Sequence, residues 1–353
     1  MEVCRMKTST KRMFALLLSA VLLLSCAMPV FAQEQEKDRL LASMDRWAFD
    51  ALYYAQGVAT DGEYLYFGSN QFVCQFSDIL KTTFDGDAVS INPDAIPHEA
   101  KMNTCFHVGG IDYSNGCIYA AIEDSGYDNP YVAVYDAQTL ALVKYKRLPV
   151  AVTAQQQPIM DKTEVNFEQG DIRMHMDGVP WIAVDEKRNV FYTAEWSDAD
   201  RLNVFDLDTF DFVGFVELTD ADGNAVLLDR CQGADVYGDV LYASCDIGSE
   251  KPFFGIDLTS GVMTHLFDRN LGDDAEAEGM CVQTTEDGVR FISQYYEGIK
   301  VTVCTYDVSD LVLPSEDAKS PVQLGFFEKL TAFFKTVLFG LFNMFSPTAG
   351  KAM

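Results

Sequence analysis

The stretch Gln232-Gly233-Ala234-Asp235-Val236-Tyr237-Gly238-Asp239-Val240-Leu241-Tyr242-Ala243-Ser244 decides the fold. Two β-prone runs flank Gly238-Asp239, and the second carries an aromatic followed by small residues, which is the pattern of a tight hairpin. The same pattern occurs four more times. Gln56-Gly57-Val58-Ala59 leads to Tyr64-Leu65-Tyr66-Phe67-Gly68, and Val108-Gly109-Gly110-Ile111-Asp112 leads to Cys117-Ile118-Tyr119-Ala120-Ala121. Trp181-Ile182-Ala183-Val184-Asp185 leads to Val190-Phe191-Tyr192-Thr193-Ala194, and Glu278-Gly279-Met280-Cys281 leads to Val289-Arg290-Phe291-Ile292-Ser293.

The aligned aromatics Tyr66, Tyr119, Tyr192, Tyr242 and Phe291 lie 53, 73, 50 and 49 residues apart. Four of the hairpins are followed by a third strand ending in an aromatic or Ile plus Asp: Tyr135-Asp136, Phe205-Asp206, Ile256-Asp257 and Tyr306-Asp307. A fourth strand follows, as at residues 141–148 and 212–218. Four strands every ~50 residues is the signature of a β-propeller blade. The expected fold is therefore all-β, a propeller of about five four-stranded blades over residues 46–312. A sixth blade can hide in the long 119–192 interval. The last repeat lacks a fourth strand, and residues 47–54 are placed to supply it and close the ring, leaving no free sheet edge.

The repeat resembles secreted bacterial propellers of the gluconolactonase-like and glutaminyl-cyclotransferase-like kind. The resemblance rests on the blade motifs Gln56-Gly57 … Tyr64-Leu65-Tyr66 and Glu278-Gly279-Met280, and it is specific for architecture. Gluconolactonase-like enzymes gather a carboxylate, an Asn and an Asp around a central divalent cation, which is what the resemblance implies for activity.

Composition narrows the function. The 353 residues contain 26 Lys+Arg against 53 Asp+Glu, a net charge of −27, which argues against a nucleic-acid partner, since neutralising phosphates needs clustered Lys and Arg. Residues 1–32 read as a secretory signal peptide. Arg5, Lys7, Lys11 and Arg12 precede the apolar run from Phe14 to Leu24, and Val30-Phe31-Ala32 offers the small residues of a cleavage site. Lipidation at Cys26, after Leu23-Leu24-Ser25, is the alternative. Loss of residues 1–32 removes four positive charges and one negative, taking the chain from −27 to −30. Residues 33–45 then form a lead-in, and residues 313–324, with Pro314, Ser315 and Asp317, a linker. Residues 325–345 follow, and residues 346–353 are a short tail. At 100° per residue, Phe326, Phe327, Leu330, Phe333, Phe334 and Val337 share one side of a helix, opposite Glu328, Lys329 and Lys335. This amphipathic Phe-rich helix either docks on the propeller or lies in a membrane interface. The protein is expected outside the cytoplasm, secreted or peripheral to a membrane.

Blade geometry places chemistry without a motif. The start of each first strand and the end of each second lie on one face, which collects Gln56, Asn70, His107, Glu123, Glu195, Trp196, Asp246, Glu278 and Tyr295. The long stretches 86–106 and 151–178 also fall there, and long loops on one face mark binding. A turn near Asn115 sets His107 across from Glu123, either a base or metal pair or a structural hydrogen bond. Glu123, Glu195, Asp246 and Glu278 either converge on a hard cation, with calcium the candidate cofactor, or are solvated acids. Trp196 is suited to stack on a sugar or to pack between blades. Asp220-Ala221-Asp222-Gly223-Asn224 reads as a hairpin turn, since no Glu closes it as a calcium loop. No Gly-x-Ser-x-Gly, His-Glu-x-x-His or Cys-x-x-Cys occurs.

Seven cysteines remain after cleavage: Cys74, Cys105, Cys117, Cys231, Cys245, Cys281 and Cys304. The fourth hairpin turns around Gly238, so Cys231 and Cys245 oppose one another at a spacing a disulfide accepts. The sequence supports two functions: a propeller that binds a protein or glycan partner through its loop-rich face, or a divalent-metal-dependent hydrolase or lactonase using the acidic residues of that face. For residues 325–345, the expected outcome is that the mature chain partitions onto lipid vesicles while a chain ending at residue 320 stays in solution. Equal partitioning in a vesicle sedimentation assay contradicts the interfacial helix.

Overall fold

In a computed structural model the described residues are 41–48, 56–71, 76–152, 172–175, 177–298 and 300–311. The expected signal peptide, the Phe-rich segment 325–345 and Cys74 lie outside them. Strand β1 (Leu41–Ala48) comes first in the chain. The first blade is β2 (Val58–Thr60), β3 (Leu65–Gln71), β4 (Phe76–Thr82) and β5 (Ala88–Asn92). The second is β6 (Cys105–Ser114), β7 (Cys117–Asp124), β8 (Tyr131–Asp136) and β9 (Leu142–Arg147), preceded by the short helix α1 (His98–Met102). A two-stranded sheet of β10 (Ala151–Val152) and β11 (Ile172–Arg173) comes next. The third blade is β12 (Ala183–Asp185), β13 (Val190–Thr193), β14 (Arg201–Asp206) and β15 (Phe212–Glu217). The fourth is β16 (Cys231–Tyr237), β17 (Val240–Cys245), β18 (Pro252–Asp257) and β19 (Met263–Asp268).

The fifth blade is β20 (Glu276–Thr285), β21 (Gly288–Glu297) and β22 (Lys300–Asp307), with β1 as its outer strand, antiparallel to β22. The propeller therefore has five blades, and the N-terminal strand closes the ring as expected. It does so at Leu41–Ala48 rather than at residues 47–54, so the propeller begins inside the expected lead-in. Among the described residues of the 119–192 interval there is no sixth four-stranded sheet; apart from strands of the second and third blades it contains β10 and β11. The stretch 86–106 is not one loop: it contains β5 and α1.

Each junction between blades holds its own apolar cluster. Tyr66, Ile111 and Tyr135 pack between the first and second blades, and Tyr119, Phe191 and Phe205 between the second and third. Trp181, Leu202 and Leu241 fill the third junction, Tyr242, Phe253 and Phe291 the fourth. Val58, Phe67, Ile292 and Val303 fill the fifth, where the last blade meets the first. The aligned aromatic of every repeat is buried, each contributing about 2–3 kcal/mol of transfer free energy. The Asp that ends the third strand has a local task. Asp136 Oδ1 accepts the Thr139 N–H and hydroxyl, both at 2.7 Å, and Asp206 does the same with Thr209 at 2.8 and 3.0 Å. Asp257 repeats it with Ser260 at 2.8 and 3.0 Å. This Asx turn reverses the chain into the outer strand.

At the axis the inner strands come so close that they exclude side chains. A Cβ on Gly57 would lie 2.4 Å from Ile111 N, and one on Gly109 2.4 Å from Pro180 O. A Cβ on Gly233 would lie 2.6 Å from Gly279 Cα, and one on Gly279 2.6 Å from Val58 N. Bulges at Gly109-Gly110 and at Glu278-Gly279 push β6 and β20 inward at these points. Direct bonds follow: Gly110 N–H donates to Pro180 O at 2.6 Å and Gly279 N–H to Gln56 O at 3.1 Å.

The pairing of Cys231 with Cys245 across the hairpin is as expected. Both are buried free thiols, and the Cys231 Sγ–H is turned along its own strand toward Gly233 O at 3.5 Å. Asp220–Asn224 is a hairpin turn, with Asp220 Oδ1 accepting the Asn224 N–H at 2.9 Å. Among the described residues no helix is long and apolar enough to cross a membrane.

Gly279→Ala should lower stability by about 3 kcal/mol, because the new Cβ meets backbone that cannot yield. Gly62, at φ +86° with nothing within 4 Å, is the control: Gly62→Ala should cost about 1 kcal/mol through its left-handed conformation alone. Urea denaturation separates the two, and equal losses would contradict the close approach at the axis.

Candidate functional site

The carboxylates of the decorated face belong first to the joints between blades. Counting four residues on from the aligned aromatic gives Asn70, Glu123, Trp196, Asp246 and Tyr295. Counting seven back gives Ala59, Asp112, Asp185, Asp235 and Thr284. In the second blade, Glu123 Oε2 accepts the Val179 N–H and Asp112 Oδ2 the Val184 N–H, both at 2.7 Å. In the fourth blade, Asp246 Oδ1 accepts the Ala277 N–H at 3.0 Å and Asp235 Oδ2 the Val282 N–H at 2.7 Å. Two carboxylates eleven residues apart thus hold two amides five residues apart in the next blade, and the arrangement occurs twice. In the third blade the upper position is Trp196, and its carbonyl takes the role, accepting the Cys231 N–H at 3.2 Å.

These bonds account for most of the sequence-predicted site. His107 does face Glu123, with Nδ1 at 2.7 Å from Glu123 Oε1. Its other nitrogen is also engaged, Nε2 lying 2.8 Å from Gln56 Oε1 of the first blade. Both oxygens of Glu123 and both nitrogens of His107 are therefore occupied, a structural pair joining three blades rather than a free base. Glu195 falls one residue out of register with Glu123 and Asp246, because Trp196 occupies the equivalent position. Among the described residues no three His, Cys, Asp or Glu side chains are grouped to hold a metal ion.

Between the fourth and fifth blades the face opens into a cleft of about 510 Å³. Asp246 lies at its floor with both oxygens bound to cations: Lys251 Nζ at 2.7 Å from Oδ1, and the Arg230 guanidinium on Oδ2. The Arg230 guanidinium also lies 4.8 Å from the centre of the Trp196 ring. The Trp196 backbone is fixed by its main-chain N–H, donated to Asp177 Oδ1 at 2.8 Å. Arg230, Lys251 and Asp177 were not legible as site residues, since no motif surrounds them and their partners come from other loops. Asp229, Asp273, Asp274 and Glu276 line the rest of the cleft, and the Tyr296 hydroxyl donates to Glu276 Oε2.

Glu278 is the exception among the predicted carboxylates. It is 2% exposed, and its Oε1 is buried with no hydrogen-bond partner. Burial pushes its carboxyl well above the usual range, and the neighbouring charges of Glu276 and Asp246 push the same way. His175 is a buried group of another kind. Its Nε2 lies 2.8 Å from Thr193 Oγ1, and burial lowers its pKa to about 4, so it is a neutral packing residue at the second junction.

No protein-family model matches the chain, and no curated protein does. Among solved structures the chain is similar to the GH43_1 enzyme from Xanthomonas citri complexed with xylose, at 13% identity over 82% of this chain and 99% of that one, with a TM-score of 0.47. It is also similar to a nidogen/laminin complex, at 13% identity over 63% of this chain and 66% of that one, with a TM-score of 0.39. The Dos1 propeller is matched at 12% identity over 70% of this chain and 66% of that one, with a TM-score of 0.34. At these values the likeness goes no further than the overall fold, which the five sheets already show.

The Glu278 environment predicts a pH signature. Burial raises its folded carboxyl above the value of about 4.5 that it has in the unfolded chain, so folding favours its neutral form. Its contribution is therefore fully present below that pH and is lost as pH rises. Glu278→Gln, which keeps the shape and cannot ionise, should be more stable than the parent at pH 8, with the gap closing toward pH 4. A pH series of thermal melts reads this, and a gap that is constant or reversed contradicts the buried, unpartnered carboxyl.

Proposed function

We propose that the chain is a secreted or surface-associated binding propeller that takes a protein or glycan partner on the face where the inner strands begin. The observation that supports this is the cleft between the fourth and fifth blades, the place where that face presents charged groups around a concavity instead of spending them on the joints. The hydrolase or lactonase reading needs carboxylates that converge. Here Glu123 and Asp246 are each bound by an amide of the following blade and by a basic side chain. The N-terminal Arg/Lys-then-apolar segment supports export, and the Phe-rich segment 325–345 supports attachment at a membrane surface.

Arg230 lines the cleft and its guanidinium lies over the Trp196 ring, so a ligand held there depends on Arg230 directly and on Trp196 through it. The mature chain, screened against arrayed peptides and oligosaccharides, should bind at least one class, and Trp196→Ala should raise Kd tenfold or more, about 1.4 kcal/mol. Melting temperatures of the variant control for folding. Binding unaffected by Trp196→Ala, or no binding to either array, contradicts the assignment.

A further inference from the structure

The fourth hairpin sets two thiols against one another at a level where the fold does not need sulfur. Cys231 lies eleven residues before Tyr242 and Cys245 three after it. The same counts from Tyr119 give Val108 and Ile122, which also face one another across their hairpin. All four side chains are fully buried. An apolar pair fills this level in the second blade, so packing alone does not call for two cysteines in the fourth.

The backbone brings the two cysteines close. The Asp246 N–H donates to the Arg230 carbonyl at 2.9 Å. The Cys231 N–H turns away to Trp196 O, and the Cys245 carbonyl accepts from Arg269 Nη2 at 2.9 Å. Cys231 and Cys245 are therefore a non-hydrogen-bonded antiparallel pair. Cα atoms in such pairs lie about 4.5 Å apart, inside the range of about 4.4–6.8 Å that a disulfide accepts. Burial holds the Cys245 thiol well above its ordinary pKa, and a hydrogen bond with Cys231 adds to this. Among the described residues no other two cysteines face one another in a strand register. Cys105 faces Asp124, Cys117 faces Ser114 and Asp136, Cys281 faces Ile292, and Cys304 faces Ser293 and Met44.

We propose that Cys231 and Cys245 are joined as a disulfide in the exported chain, a bridge that fastens the ends of β16 and β17 beside the cleft. The inference goes beyond the binding reading and stands without it. Arg230 and Asp246, the residues next to the pair, line the cleft, and Asp246 also holds the Ala277 N–H of the fifth blade. The bridge ties the two strands where the bulge after Cys231 interrupts their ladder. The oxidant is a small-molecule disulfide such as oxidised glutathione, in a compartment where disulfides persist. One cysteine, as its thiolate, attacks that disulfide, forming a mixed disulfide and releasing one small thiol. The other thiolate then attacks the cysteine sulfur of the mixed disulfide and releases the second small thiol. Two electrons pass from the pair to the external disulfide, and the two thiol protons end on the two small thiols. Burial disfavours the attacking thiolate, so the bridge forms while the hairpin assembles, before neighbouring blades cover it.

The mature chain, unfolded and reduced, is refolded in a buffer of oxidised and reduced glutathione, then denatured, alkylated and digested without reductant. Mass spectrometry should find peptides linked through Cys231 and Cys245, lighter by two hydrogens than the two thiol peptides together. The other cysteines should be alkylated. The bridged chain should melt a few degrees above the same chain refolded with reductant. Cys231→Val/Cys245→Ile, which installs the pair of the second blade, should fold and lose that difference. The linked-peptide measurement decides the bridge even if this variant does not fold. Alkylation of both thiols, linkage of either to a different cysteine, or a melting difference that persists in Cys231→Val/Cys245→Ile overturns the proposal. Equal melting of the bridged and reduced parent overturns the fastening role.

Discussion

Five inner strands can meet at one axis only where their side chains are absent or are spent on the neighbouring blade, and the rest of this molecule follows from that crowding. Gly57, Gly109, Gly110, Gly233 and Gly279 remove the side chains where backbone meets backbone. Above and below this level, the pairs Asp112/Glu123 and Asp235/Asp246 take the exposed amides of the next inner strand. Buried amides need acceptors, and inner strands of different blades do not form a ladder, so side-chain carboxylates supply what a sheet would have supplied. The strand β1 closes the ring from outside, and the Gln56–Gly279 bond closes it at the centre.

The same constraint separates structural charge from charge left over. A carboxylate bonded to a buried amide on one side and to His107 or Lys251 on the other has no capacity for a ligand. Glu123 and Asp246 are in that position although they face the decorated end of the ring. The cleft between the fourth and fifth blades is lined besides by Asp229, Asp273, Asp274 and Glu276, and Glu278 in β20 keeps a buried oxygen that the fold leaves unbonded. A group kept at a cost to stability marks the place where function and packing diverge.

The blade repeat was legible because a buried aromatic followed by small residues is what the packing of each blade demands, and five such positions at near-regular spacing point to a ring of blades. Hairpin arithmetic also placed His107 against Glu123 and Cys231 against Cys245, since an antiparallel turn fixes its pairs. The joint carboxylates were not legible in role. Their partners are backbone amides of another blade, which carry no residue-type signal, although the eleven-residue spacing of Asp112/Glu123 and Asp235/Asp246 is present in the sequence. Glu195 lies one residue away from the position it was expected to share, and in a strand a one-residue slip changes the face. The closing strand was expected at residues 47–54 and lies at Leu41–Ala48, because pairing with β22 sets its register and no turn ties it to its partner. Arg230 and Lys251 escaped notice because an ion pair made through the ends of two loops leaves no local pattern.

The ring depends most directly on the carboxylate–amide bonds that join the second blade to the third and the fourth to the fifth. Native-state hydrogen exchange measures them one amide at a time. The amides of Val179, Val184, Ala277 and Val282 should exchange only through global unfolding, with protection equal to that of the central β7 and β17 amides. Exchange of these four at the rate of exposed turn amides, such as Gly62, would contradict a ring joined through its carboxylates.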